Sequence, residues 1–375
     1  MSEYTDMEKA GLPSRVERLE DWLQEPVEAR CADDRFEIRR ATPADYPAIF
    51  ALLDRTFEDR RHRACDDWLY LRNPCGEARC WITVERGSGE LVANETRWPW
   101  PFGRGAEAMR GELIGDAAVT PRLQRQDVGD LRAPFRQSHP WYADTTAISW
   151  PNESSRRSAI KHGYADHLFG PLPRAFLPLS VGGWLEARLP RMPRRVRSRL
   201  AKASDGMLNA WQRAVCGAPT LPIEHISRFD STLDTVTQAC MNHTEYWSPH
   251  SSDFLNWRYL DHPTHRYVAI TAHADEPSGY AVLRFQARAA ILMEFAAPTE
   301  SDGCRASLLA AVRELACEAG CERIEFFSTA AWRHWRFLRR AGFVTWPSQH
   351  WVQARGLGDR PVSVWQLVPG DTDFL

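Results

Sequence analysis

The sequence reads Trp68-Leu69-Tyr70-Leu71-Arg72-Asn73-Pro74 in its first half and Trp257-Arg258-Tyr259-Leu260-Asp261-His262-Pro263 in its second. A shared W-x-Y-L-x-x-P could be chance if its surroundings differed. They do not. Each copy follows a helical pattern and precedes a hairpin pattern, CWITVERGSGELVANETRW in one case and YVAITAHADEPSGYAVLRF in the other. Each half then reaches a helix pattern ending in Gly and an aromatic, Gly163-Tyr164 and Gly342-Phe343. Spacing agrees as well: 95 positions separate Trp68 from Gly163, and 85 separate Trp257 from Gly342. The same elements in the same order at similar spacing indicate duplication. The chain therefore has to build one kind of unit twice, and 375 residues suffice for two domains of roughly 150 each. With 43% hydrophobic and 26% charged residues, both are expected to be globular.

Local patterns fill in the first copy. Residues 1–35 read as a partly helical arm, and FEIRR (36–40) as a strand. A helix follows, with Thr42 as N-cap, Pro43 in its first position and Asp45 in its first turn. Ile49, Phe50, Leu52, Leu53 and Phe57 supply its buried face. The hairpin comes next, then a strand over GELIGDAAV (111–119). A turn at 120–130 leads into a weak helix interrupted by Pro134 and Pro140. TAISW (146–150) reads as a strand, and NESSRRSAIKHGY as a helix closed by Gly163.

This order of elements, with the motifs of residues 117–131 and 148–164, resembles the GNAT superfamily of acyl-CoA N-acyltransferases. In that family the fourth strand often ends in Val-x-Pro, and Val119 and Pro121 match. A turn of the form Gln/Arg-x-x-Gly-x-Gly/Ala then cradles the pyrophosphate of coenzyme A. Here it reads Gln124-Arg125-Gln126-Asp127-Val128-Gly129. The sequence Trp150-Pro151-Asn152-Glu153-Ser154 is similar to a Phe-Pro-Asn-Glu variant of one bacterial branch, often fused to a second GNAT-like half. The resemblance implies an α/β (α+β) fold of two tandem GNAT-like domains, each a mixed, mostly antiparallel central sheet flanked by helices. It also implies acetyl-CoA as acyl donor, held by Val119, Gln124, Arg125, Gln126, Val128, Gly129, Asp130 and Asn152. The expected organisation is an arm at 1–35, a first domain at 36–178 carrying the acyl-CoA motifs, a basic helical connector at 179–219 and a second domain at 220–375.

The chemistry behind such a turn is general. A helix N-terminus presents unpaired N–H groups and partial positive charge to an anion, and glycine lets phosphate oxygens approach the backbone. A thioester needs a neutral amine placed against its carbonyl, and a base or water chain to remove the amine's proton. Glu112 and Asp116 share strand parity with Ile114 and Ala118, so one face is expected to carry both carboxylates. They are the candidate bases; otherwise they are ordinary ion-pair residues. Two positions depart from the family pattern. Asp127 stands where its middle Gly belongs, and a carboxylate there repels phosphate unless it turns outward or pairs with Arg122 or Arg125. Ala159 stands where the family often has a Tyr acting as general acid, and neither Tyr142, Tyr164 nor His162 is placed by sequence to replace it.

The second copy keeps the strand and a strong helix over AILMEFAAPTESDGCRASLLAAVRELA, but its turn contains Glu300 and Asp302 in place of phosphate-binding residues. This half is expected to retain the fold without the cofactor and to close the acceptor cleft. Asn256, Trp257, Arg258 and Tyr259 serve either as its wall or as core. The connector LEARLPRMPRRVRSRLAKA has seven basic residues from Arg188 to Lys202 and no acid after Glu186. It is either a solvated helix face or a contact for an acidic partner, a membrane surface or RNA.

Net charge is −2, which gives no global electrostatic case for DNA. The stretch MSEYTDMEKAGLPSRVERLEDW lacks the apolar core of a signal peptide, and no run approaches a membrane span. Nine cysteines at irregular spacing do not form a disulfide framework, so a reducing cytoplasm is the expected compartment. Cys317 and Cys321 lack the partners of a zinc pattern, and no metal is expected. The reading is an N-acyltransferase, acetyl-CoA to a small amine or amino-sugar acceptor, by direct attack. The alternatives are a GNAT-fold binding or assembly protein without turnover, and a Fem-type aminoacyl ligase using tRNA.

Overall fold

The computed structural model describes residues 33–57, 62–104, 107–132, 145–162, 167–216, 219–241, 246–274, 277–355 and 365–372. The weak helix expected after the first turn, Gly163-Tyr164, Tyr142 and most of the N-terminal arm lie outside them. The chain divides into two compact units. One holds described residues through Leu168 with His262–Thr264 and Val352–Arg355; the other holds Phe169–Asp261, His265–Trp351 and 365–372. Residues 169–178, grouped with the first half on sequence, thus lie in the second unit.

In chain order the first part runs β1 (Phe36–Arg40), α1 (Tyr46–Thr56), α2 (Arg63–Leu71), β2 (Arg79–Glu85), β3 (Leu91–Pro99), β4 (Phe102–Arg104), β5 (Glu107–Met109), β6 (Gly111–Val119), β7 (Thr146–Ser149), α3 (Glu153–His162) and β8 (His167–Phe169). Next come β9 (Pro173–Pro178), α4 (Gly182–Arg188), α5 (Arg194–Cys216), β10 (Ile223–Ile226), α6 (Thr232–Met241), β11 (Tyr246–Trp247) and α7 (Ser252–Leu255), which continues as a π-helical turn, Asn256–Leu260. The last part is β12 (Tyr267–His273), β13 (Pro277–Gln286), β14 (Ala289–Ala296), α8 (Asp302–Glu318), β15 (Arg323–Phe327), α9 (Trp335–Arg340), β16 (Val344–Pro347), β17 (Val352–Arg355) and β18 (Trp365–Gln366).

The two units have sheets of the same plan. Each unit has a seven-stranded sheet, ordered β1-β2-β3-β6-β7-β17-β8 in the first and β10-β12-β13-β14-β15-β9-β16 in the second. Position by position the two match. The fourth and fifth strands pair parallel in both, β6 with β7 and β14 with β15. The sixth strand of each sheet comes from a distant part of the chain, residues 352–355 in the first and 173–178 in the second. Sequence-local patterns do not reveal such an exchange, because a strand's pattern does not name its partner.

The fourth strand is bulged in both sheets. In the first, Asn94 pairs with Ala118 and Thr96 with Gly115, so Asp116 and Ala117 together face Glu95. In the second, Val282 pairs with Glu294 and Leu283 with Leu292, leaving Met293 extra. A bulge of this kind bends the strand and re-aims its side chains.

The second unit's core shows why its strands form. Ile270, Ala281, Leu283 and Leu292 face Leu308, Leu309 and Val312 of α8. The alternate residues Ala269, Tyr280, Val282 and Met293 face Leu233 and Val236 of α6 and Leu255 of α7. Each fully buried aliphatic side chain of this kind contributes about 1.5–3 kcal/mol. Helix α1 starts three residues later than the sequence suggests, after a 3-10 turn at Pro43–Asp45. Pro47 is the reason: it has no N–H to donate to the Pro43 carbonyl, so an α-helical first turn cannot close there. Asp45 Oδ2 still accepts from the Thr42 N–H at 2.8 Å.

Candidate functional site

In the first unit the bulge places Asp116 with φ +47°, turned toward α2. The Tyr70 hydroxyl donates to Asp116 Oδ2 at 2.6 Å and lies 2.8 Å from Thr96 Oγ1. Asn94 Nδ2 donates to Thr96 Oγ1 and to the Asp116 carbonyl, both at 3.0 Å. Tyr70 and Thr96 are fully buried, while Asp116 is half-buried. Tyr70 thus holds the Asp116 carboxylate and Asn94 holds its backbone carbonyl, which together fix its orientation.

Glu112 is placed differently. It is fully buried, 2.8 Å from Arg97 and 3.8 Å from Arg79. Burial pushes its carboxyl up, and the two guanidiniums oppose that shift. Arg97 and Thr96 are neighbours on β3 and point to opposite faces. Glu112 meets Arg97, whereas Asp116 meets the tyrosine bound to Thr96. The two carboxylates therefore lie on opposite faces, not on one. Strand parity holds only along an unbroken strand, and the bulge interrupts this one between Glu112 and Ala118.

The turn after β6 is anchored by Leu123 and Val128, both buried against Phe36, Val92 and Ala93, with Val119 packed alongside. Arg125 has φ +65° and Asp127 φ +56°. Left-handed residues alternating with ordinary ones are how a backbone gathers N–H groups into an anion-binding concavity. Asp127 turns outward, its side chain 69% exposed and 3.5 Å from Lys161. Arg122 is instead paired with Glu85 and Glu90. Arg125 is exposed and has no partner among the described residues.

The two glutamines bond back to their own turn: Gln124 Nε2 to the Val119 carbonyl at 3.2 Å, Gln126 Nε2 to the Arg122 carbonyl at 3.0 Å. The Asp130 N–H donates to the Asp127 carbonyl at 2.9 Å. At Gly129 a Cβ would stand in ordinary contact, 3.4 Å from Val119 Cγ2. Asn152 caps α3, its Oδ1 accepting from the Ser155 N–H at 2.9 Å. Ala159 is buried on that helix.

The second unit holds a polar cluster that sequence reasoning missed. His250 Nδ1 lies 2.9 Å from Glu294 Oε1, and Nε2 lies 3.0 Å from both Asp371 Oδ1 and Ser248 Oγ. All four residues are buried. Burial alone would disfavour a charged ring, but the Glu294 and Asp371 carboxylates outweigh it and hold the His250 pKa at about 10. Burial also works against an ionised Asp371, and His250 overcomes it, lowering that carboxyl.

Tyr259 donates to Glu294 Oε1. Arg258 donates to the carbonyls of Gly370 and Thr372 at 2.9 and 2.7 Å. Asn256 bonds to both the N–H and the carbonyl of Phe229 at 2.8 Å. The Asn-Trp-Arg-Tyr stretch thus belongs to the buried framework. A cavity of about 30 Å³ touches Cys240, Ser248, Tyr280, Glu294, His334 and Asp371. That is space for a water molecule or two, not for an acyl chain or nucleotide. Burial pushes the Cys240 thiol up to about 12 and, helped by Arg305 and Arg333, the His334 ring down to about 3. At the second turn, Ser301 Oγ accepts from the Cys304 N–H, and Asp302 pairs with Arg305.

No protein-family model and no curated protein matches the sequence. Solved structures do match in fold. A probable N-acyltransferase from Enterococcus faecalis superposes with a TM-score of 0.60 at 11% identity, covering 86% of this chain and 73% of that one. A GCN5-related N-acetyltransferase from Kribbella flavida gives 0.53 at 12% identity, covering 85% and 71%. Saccharomyces cerevisiae N-myristoyltransferase, solved with bound myristoyl-CoA, gives 0.53 at 10% identity, covering 88% and 85%. The fold is that of the GCN5-related N-acetyltransferases, in a mixed α/β form with sheets flanked by helices.

Proposed function

We propose that the chain is an N-acyltransferase that takes its acyl group from a coenzyme A thioester, acetyl-CoA in the simplest case, and passes it to an amine or amino-sugar acceptor in the cytoplasm. The observation that carries this reading is the succession of a bulged strand and a turn with left-handed residues at Arg125 and Asp127. In this reading the turn at 124–129 holds the pyrophosphate through its backbone, with Arg125 as the charged donor. The outward turn of Asp127 removes the conflict its charge would create. Val119, Val128, Gly129 and Asp130 shape the turn, Gln124 and Gln126 brace it, and Asn152 sets the start of the adjoining helix.

Asp116 is the base. A simple alkylammonium has a pKa near ~10.4 and has to lose a proton before it attacks. Asp116 accepts that proton, directly or through one water, with Tyr70 holding the carboxylate in place. The amine nitrogen bonds to the thioester carbon, the carbon–sulfur bond breaks, and the nitrogen's second proton passes through water to the departing thiolate. Glu112 stays with its arginines and braces the sheet. The second unit, with acids at its turn, supports the fold without binding the donor.

Calorimetric titration with acetyl-CoA and with free CoA tests this. Micromolar binding of both is expected. Absence of binding up to millimolar concentration overturns it and favours the second reading, a GNAT-fold binding protein. That reading draws on the two glutamines folded back into the turn and on Ala159.

A further inference from the structure

Helix α5 is tied down on one side only. Asp205 accepts from the Ser180 hydroxyl at 2.9 Å and the Val181 N–H at 2.8 Å. Gln212 is buried and donates to the Pro178 carbonyl. The Trp211 ring covers Gly342, where a Cβ would stand 2.5 Å from Cη2. The helix is therefore a fixed part of the second unit, not a segment that orders only on contact.

Beside that seat runs an apolar stripe open to solvent, with the half-exposed Trp211 at its inner edge. Val196 is 47% exposed, Leu200 44%, Met207 76% and Trp211 48%. At 100° per residue these four fall within about 60° of one another around the axis, a single stripe. Ala203, Ala210 and Ala214 lie among them and none is buried. Arg195, Arg199, Lys202 and Arg213 line one flank of the stripe, exposed and without a partner among the described residues. Nearby acids do not neutralise them: Asp205 is bonded inward and Glu186 lies 3.5 Å from Arg197.

We propose that this face of α5 docks on an anionic lipid bilayer, lying in the plane of the interface. Its stripe would enter the boundary between headgroups and acyl chains while the flanking cations bind lipid phosphates. The charge alone would suit RNA or an acidic protein. The apolar stripe decides for lipid, because RNA offers nothing for Val196, Leu200 and Met207 to bury against. A second copy of the chain would bring two sets of arginines together. No helix among the described residues is long and apolar enough to cross a membrane, so the contact is a surface one.

The test is co-sedimentation of the full chain with vesicles of phosphatidylglycerol and phosphatidylcholine, against vesicles of phosphatidylcholine alone. Binding to the anionic vesicles and not the neutral ones is expected. Leu200→Asp with Met207→Asp should weaken it about tenfold or more, as should Arg195→Glu with Arg199→Glu. Both variants change exposed positions, and unchanged thermal unfolding confirms that they fold. Three outcomes overturn the proposal: no binding to anionic vesicles, binding to them that survives loss of the apolar stripe, or binding to a single-stranded RNA probe in place of vesicles.

Discussion

The hydroxyl of Tyr70 lies 2.6 Å from Asp116 Oδ2, and in the other unit the hydroxyl of Tyr259 bonds to Glu294. Each tyrosine is the third residue of a W-x-Y-L-x-x-P motif, and each carboxylate sits at the bulge of a fourth strand. One interaction has been kept in both copies and put to different use. In the first it leaves a half-buried carboxylate. In the second the carboxylate is enclosed by His250, and the C-terminal segment through Asp371 completes the enclosure.

If Asp116 is the base, Asp116→Asn should lower kcat by about 10²–10⁴-fold while leaving CoA affinity within a factor of a few. Tyr70→Phe removes only the donor that orients it and should cost less. Its diagnostic is a lower kcat with CoA affinity unchanged. An Asp116→Asn enzyme with undiminished kcat would remove the carboxylate from the mechanism.

Asp127 holds a left-handed conformation that glycine adopts without cost, and among the described residues its side chain makes only an exposed pairing with Lys161. Asp127→Gly should therefore leave stability unchanged or raise it by up to about 1 kcal/mol. It should also tighten CoA binding by removing a negative charge beside the turn. Weaker binding, read by the same titration, would give Asp127 a positive role at the donor.

Replacing Gly129 by leucine should weaken CoA binding far more than Gly303→Leu, its counterpart in the second unit. A Cβ meets Val119 at 3.4 Å in the first case and Thr220 at 3.2 Å in the second, so crowding of the fold does not favour either, and a larger loss at Gly129 reads the added side chain's obstruction of the donor. Equal losses would deny the donor site to the first unit.

The second unit's His250 gives a pH signature. Its folded pKa, about 10, lies above the ordinary 6.5, so it favours folding fully below pH 6.5. That contribution declines as pH rises from 6.5 and is gone above about 10. Asp371, lowered from 3.8, acts the other way: its contribution is present above that value and lost as pH falls through the folded one. The difference in thermal stability between wild type and His250→Gln should shrink steadily between pH 6.5 and 10. A constant difference would mean that the ring is neutral in the folded protein.

What the sequence made legible was what local patterning encodes. FEIRR, GELIGDAAV and the hairpins fell where periodicity put them, because strand alternation and turn residues are local signals. The likeness of the two sheets was legible because the W-x-Y-L-x-x-P motif and a helix pattern ending in Gly and an aromatic each occur twice in the sequence. Three things were not. The exchange of β9 and β17 depends on pairing partners far along the chain. The bulge at Asp116 is written in no residue type, and it turned a sound parity argument about Glu112 into a wrong face. The His250–Glu294–Asp371 cluster joins residues 44 and 77 positions apart, with Tyr259 as its only outward sign.

Gly342 ends α9 in a way that a single substitution can test. Its φ is +93°, its N–H donates to the Arg339 carbonyl at 3.1 Å, and the Phe343 N–H donates to the Leu338 carbonyl at 3.0 Å. This is a Schellman cap, which needs a left-handed residue after the helix. Alanine there meets two penalties, the unfavourable φ and contact with Trp211 at 2.5 Å. Together these should cost about 2–4 kcal/mol. Gly206 on α5 is the control: nothing stands within 4 Å of its Cβ position, so Gly206→Ala should stabilise by about 0.5–1 kcal/mol. A double-mutant cycle separates the two penalties. In a Trp211→Ala background the contact is gone and only the backbone term remains, so Gly342→Ala should cost less there by about 1–3 kcal/mol. An equal cost in both backgrounds would show that the indole does not rest on Gly342, and that α5 is not seated against α9.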